Sequence, residues 1–139
     1  MKTNKKISNF LLKMLQKANK VMQHAYVPMC NFPVGVCIRS QKNKFFVGCN
    51  IENMSTPLSL CAEAATIASM VSAGELQIKE IVIVAKNKKI CPPCGACRQR
   101  ILEFSNPKTK IYLAHKNTIY ATFTIAELLP LAFSLEAKN

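Results

Sequence analysis

A chain of 139 residues, 50% of them hydrophobic, can bury a sizeable core, and no stretch approaches the roughly 18 uninterrupted apolar residues of a membrane-spanning helix. The net charge of +12 raises the question of a nucleic-acid partner, yet every basic residue except Arg39, Arg98 and Arg100 is a scattered lysine, the pattern of a solvated surface. Lys13 and Lys17 interrupt the apolar run after Ile7, which argues against a signal peptide and for a soluble cytoplasmic protein, expected as a single domain over residues 1–139.

Ile7, Phe10, Leu11, Met14, Ala18, Val21, Met22 and Ala25 fall at three- and four-residue steps and predict an amphipathic helix over residues 5–25. Pro28 and Pro33 then open a loop through Asn31 and Phe32. Val34, Val36 and Ile38 alternate as a strand, residues 41–44 form a polar turn, and residues 45–49 return as the second strand of a hairpin. A loop containing Pro57 leads to a helix over 61–73, which Gly74 terminates. Residues 81–85 are continuously apolar, as in a strand covered on both faces. Pro92 and Pro93 precede a helix over 94–104, followed by strands over 111–114 and 119–123. Thr124 and Glu127 fit the capping box of a short last helix. Strands interleaved with helices predict an α/β fold, a three-layer α/β/α domain around a mixed sheet of about five strands.

Seven cysteines in a chain without an export signal read as metal ligands, catalytic groups or small core residues rather than as disulfides. Cys37, within an apolar alternation, reads as core, while Cys30 and Cys49 acquire no role. Cys94 and Cys97 lie one helical turn apart, so both sulfurs reach one ion. Cys61 opens a different helix, and helix starts favour thiolates through their dipoles and free N–H groups. Three ligands and one open position mark a catalytic zinc, whereas four mark a structural one. With no aspartate in the chain, carboxylate chemistry falls to seven glutamates, and Glu63 stands two residues past Cys61 as an acid/base beside the ion. Cys91 keeps two alternatives open. With Cys94 it makes another C-x-x-C, compatible with a redox dithiol or with a structural zinc on Cys61, Cys91, Cys94 and Cys97.

Cys61-x-Glu63 followed by Pro93-Cys94-x-x-Cys97 is the known zinc-deaminase signature with Cys in place of His. Over nearly its whole length the chain resembles the small homotetrameric cytidine deaminases. The resemblance also rests on Ala25-Tyr26-Val27-Pro28, Asn31-Phe32-Pro33-Val34-Gly35, Gly48-Cys49-Asn50-Ile51-Glu52-Asn53, Arg98-Gln99 and Glu127-Leu128-Leu129-Pro130, in that order. It implies hydrolysis of cytidine and 2′-deoxycytidine to the uridines plus ammonia, with one Zn2+ per chain on Cys61, Cys94 and Cys97 and Glu63 shuttling protons. It further implies that Phe32 and the Ala62 backbone hold the base, that Asn50 and Glu52 bind the ribose, and that Phe133 reaches a neighbouring subunit's site.

Each of these residues also has a plainer part to play: Phe32 as a core plug, Asn50 as a turn residue, Glu52 as surface charge, Phe133 as helix packing. Two positions depart from the family pattern. Ala64 stands where the family often has an arginine that neutralises the thiolates, which leaves the two helix starts or Arg98 to offset the charge. Thr56 replaces an intersubunit tyrosine. Because the metal motif does not name the substrate, a deaminase of a cytosine-containing antibiotic is an alternative. A zinc-stabilised RNA-binding module would account for the charge but leaves Glu63, Asn50 and Glu52 idle.

Overall fold

The computed structural model describes residues 7–88 and 90–135. Helix α1 (Asn9–Met22) precedes a hairpin of β1 (Val34–Ser40) and β2 (Phe45–Cys49). A 3-10 turn (Thr56–Leu58) leads to α2 (Ala62–Ser72), then β3 (Ile78–Ala85), α3 (Gly95–Glu103), β4 (Lys110–His115), β5 (Thr118–Thr124) and α4 (Ile125–Leu128). The strands form one mixed sheet in the order β2-β1-β3-β4-β5, with β3 and β4 parallel and the other pairs antiparallel.

The uninterrupted apolar run of β3 reflects a sheet covered on both sides. Ile81 and Ile83 point to the layer holding α2, α3 and α4, where they meet Met70, Ile101 and Ile125. Val82 and Val84 point the other way and meet Leu11, Met14, Leu15 and Ala18 of α1. This is the α/β/α layering expected from the alternation of elements, and Cys37 is a buried member of the α1 side.

Helix α1 is shorter than residues 5–25. The Ser8 hydroxyl accepts from the Leu11 N–H at 3.2 Å and caps the helix at Asn9, and residues 1–6 lie outside the described residues. Its far end tightens into i→i−3 bonds from His24 to Val21 and from Ala25 to Met22, which release the chain before Tyr26. Leu15 is fully buried although it was outside the predicted stripe, whereas Ile7 and Phe10 are 43% and 42% exposed. Phe10 sits at the stripe's edge, under the Arg39 guanidinium at 4.2 Å and beside the Phe45 ring at 6.3 Å.

The register brings three chain segments to one end of the sheet. Val34 pairs with Ala85 and Gly35 pairs with Cys49, so the start of β1 and the ends of β2 and β3 lie side by side. Both α2 and α3 begin beyond that end. Their free N–H groups therefore point toward the crevice outside the sheet, as at the strand ends of open α/β sheets.

Candidate metal centre

Cys61 is the N-cap of α2 and Cys94 the N-cap of α3, and neither side chain makes a capping hydrogen bond. Their sulfurs are left to face the space between the two helix starts. Cys97, on the first turn of α3, joins them: the three Sγ atoms lie within 4.8 Å of one another. Sulfurs at about 2.3 Å from a tetrahedral zinc stand about 3.8 Å apart, so small side-chain rotations suffice for all three to ligate one ion. The donor set is soft, close and backed by two helix N-termini. It fits Zn2+, with one coordination position unclaimed by the trio.

Burial acts on this cluster unevenly. It raises the Cys97 thiol first through desolvation and then through the charges of Glu63, Cys61 and Cys94. Cys61 is also raised, chiefly by desolvation. Desolvation pushes Cys94 upward too, but it is outweighed by hydrogen bonds from the Cys97 backbone and from the thiols of Cys97 and Cys61, and the group is lowered. A divalent ion bound by the three sulfurs would deprotonate each coordinating thiol outright.

Glu63 follows on the first turn of α2 and is only 6% exposed. Burial holds its carboxyl above the usual carboxylate value, against the pull of its own backbone N–H, the Cys97 side chain and the charge of Arg100. A carboxyl raised toward neutrality beside a metal site is suited to exchange protons in both directions.

A crevice opens over the cluster, lined by Cys61, Cys94 and Glu63 together with Phe32, Asn50 and Ala62. Val34, Ile83, Cys91 and Pro92 complete its wall. Cys91 thus borders the site, but the three-sulfur cluster does not include it. Asn50 braces the rim: its Oδ1 accepts from the Val34 N–H at 2.8 Å and its Nδ2 donates to the Phe32 carbonyl at 2.9 Å. Glu52 lines an adjoining hollow with Asn50 and Cys61, and its Oε1 accepts from the Cys30 N–H at 3.1 Å. Phe133 lies outside both hollows, 70% exposed, its carbonyl accepting from Gln99.

Two features were not read from the sequence. Ile51 and Leu60 exchange backbone hydrogen bonds at 2.9 and 2.8 Å, and Tyr26 bonds to Asn50 and Glu52, so a small knot of extended chain delivers Cys61 to the site. Arg98 is not the cation of the sulfur cluster. Its Nε donates to the Pro93 carbonyl at 2.8 Å and its Nη1 to the Leu128 carbonyl at 2.9 Å, tying the start of α3 to α4. Arg100 instead donates to the Cys97 Sγ at 3.6 Å. The three-residue step from Cys97, which puts both on one helix face, is the signal that could have found it.

Residues 8–114 match the family model described as the cytidine and deoxycytidylate deaminase zinc-binding region. A cytidine deaminase of Mycoplasma genitalium is 42% identical over 121 residues, covering 86% of this chain and 90% of that protein. One from Sporosarcina psychrophila is 38% identical over 124 residues, covering 89% and 91%. The crystal structure of cytidine deaminase from Burkholderia pseudomallei superposes with a TM-score of 0.81 at 32% identity, covering 87% of this chain and 97% of that one. With the motif order, the fold and the sulfur cluster in agreement, the chain belongs to the cytidine and deoxycytidylate deaminase family and carries its zinc-binding region.

Proposed function

We propose that the chain hydrolyses cytidine and 2′-deoxycytidine to uridine and 2′-deoxyuridine with release of ammonia, as an enzyme of pyrimidine nucleoside salvage. The single observation that carries this is the buried Glu63 carboxyl in the same crevice as the Cys61, Cys94 and Cys97 sulfurs. Cys61, Cys94 and Cys97 hold the zinc. The ion supplies Lewis acidity that brings the ionisation of water close to neutral pH.

Glu63 does the proton work. Its carboxylate takes one proton from the water whose oxygen bonds to C4 and delivers it to N3 of the pyrimidine. It then takes that oxygen's remaining proton and delivers it to the amine, so that the C4–N bond breaks and ammonia leaves. Water and cytidine are consumed, and uridine and ammonia are formed, with Glu63 returned to its starting state. Phe32 packs against the base and the Ala62 backbone holds its edge. Asn50, on the crevice wall, and Glu52, in the adjoining hollow, are the acceptors and donors for the ribose hydroxyls.

The exposed apolar side chains of Met54, Leu58, Leu131 and Phe133 support association of copies, expected as a homotetramer in which Phe133 reaches a neighbour's site. No two of the seven cysteines are joined in a disulfide, as in a reducing compartment, and a cytoplasmic enzyme is expected. Among the described residues no helix is long and apolar enough to cross a membrane.

A panel of nucleosides assayed for released ammonia, with zinc per chain measured on the same preparation, tests the reading. Turnover of cytidine and deoxycytidine with about one zinc per chain is expected. Turnover confined to a cytosine-containing antibiotic would reassign the substrate. Zinc without any deamination, together with salt-sensitive RNA binding, would replace the enzyme by a binding module.

A further inference from the structure

The zinc centre proposed above carries a charge imbalance. Three thiolates and one divalent ion sum to one excess negative charge, held where water is partly excluded. Ala64, next to Glu63, brings no cation. Of the chain's arginines, Arg39 is paired with Glu80 at 2.6 Å and Arg98 is spent on the carbonyls of Pro93 and Leu128. The guanidinium that reaches the cluster is that of Arg100, with Nη1 at 3.6 Å from the Cys97 Sγ.

We propose that Arg100 is a positioning residue of the metal centre, whose guanidinium on the Cys97 sulfur offsets the excess thiolate charge and slows the loss of zinc. This rests on the three-sulfur zinc reading. Sulfurs packed within 4.8 Å repel one another when all are anionic, and a fixed positive charge on one of them lowers that repulsion. A charge-assisted donor also fixes the direction of the sulfur's lone pairs, and such outer partners of metal ligands typically change metal affinity by about 10- to 100-fold. Arg100 also lies in the last turn of α3, where a cation complements the helix dipole. That simpler role predicts a change in fold stability with no change in metal release, so the two are separable.

The experiment compares the zinc-loaded wild type with Arg100→Gln and Arg100→Lys, following zinc release to a chromogenic chelator at neutral pH. Thermal unfolding of the metal-free proteins is measured in parallel. Arg100→Gln is expected to release zinc roughly tenfold faster, with Arg100→Lys between it and the wild type and the metal-free melting temperatures unchanged. Cobalt-substituted Arg100→Gln is expected to shift its sulfur-to-metal charge-transfer band, which a helix-end role would leave in place. Equal release rates, or a loss of metal-free stability that accounts for the whole difference, would overturn the proposal. A wild type that holds no zinc would instead remove the centre itself. Should Arg100→Gln fail to fold, Arg100→Met, which retains an apolar stem on the helix, carries the same comparison.

Discussion

The amide of Asn50 bridges the Phe32 carbonyl and the Val34 N–H, at 2.9 and 2.8 Å, and so stands in for a strand partner where the Phe32 loop enters β1. One side chain thereby shapes the crevice rim while lining the crevice itself. Asn50→Ala removes both bonds and leaves two backbone groups without them, a loss of about 1–3 kcal/mol. KM for cytidine is expected to rise roughly tenfold or more, with a smaller fall in kcat, because the loss acts on binding and loop position rather than on Glu63. Steady-state kinetics check this; an unchanged KM would detach Asn50 from the site.

Gly48 sets how closely α2 lies on β2. A Cβ there would stand 2.5 Å from the Thr66 Oγ1 and 2.7 Å from the Thr66 backbone nitrogen, and that nitrogen cannot move without the helix. The Thr66 hydroxyl is itself bonded to the Ala62 carbonyl at 2.7 Å, one residue from Cys61. Gly48→Ala is expected to cost about 1–3 kcal/mol in denaturant unfolding and to lower zinc content with it, since overpacking here displaces the helix start that carries Cys61 and Glu63.

Cys91 borders the crevice outside the three-sulfur cluster. Cys91→Ser is therefore expected to keep about one zinc per chain and most of the activity, as three protein ligands suffice for a catalytic zinc. Elemental analysis of the purified variant decides it. Loss of the metal would make Cys91 a fourth ligand and close the open position.

Tyr112 gives the fold an alkaline limit. Burial, followed by the charge of Glu80 and the hydrogen bond to it at 3.3 Å, pushes the phenol up to about 12, against the pull of Arg39. A group whose folded pKa exceeds its unfolded value contributes stability that is complete below the unfolded value, near pH 10, and that disappears as pH rises through the folded one. Unfolding free energy is thus expected to fall between about pH 10 and 12, and less steeply in Tyr112→Phe. Denaturant titrations across this range check the sign.

What the sequence disclosed follows from which forces are local. The β1–β2 hairpin, the doubly covered β3 and the capping box of Thr124 and Glu127 are written in short-range alternation and side-chain chemistry, and all three form as expected. The starts of α2 and α3 were legible because a proline loop or proline pair precedes each cysteine. Which side of the α1 stripe faces the sheet depends on docking, so Leu15 was missed and Phe10 misplaced. The Tyr26, Ile51 and Leu60 bridges join residues far apart in the chain, and no local pattern announces them. The two helix starts or Arg98 were expected to offset the thiolate charge, yet the position of α4 redirects Arg98 and leaves the sulfur to Arg100.

The central claim is that a buried carboxyl beside a three-sulfur zinc moves the protons of the reaction. Its most direct test is the deamination rate of Glu63→Gln at zinc content equal to that of the wild type, followed by loss of cytidine absorbance. The account predicts that zinc stays bound while kcat falls by about 10²- to 10⁴-fold, the usual contribution of a positioned acid/base. A Glu63→Gln enzyme turning over cytidine at the wild-type rate would contradict it.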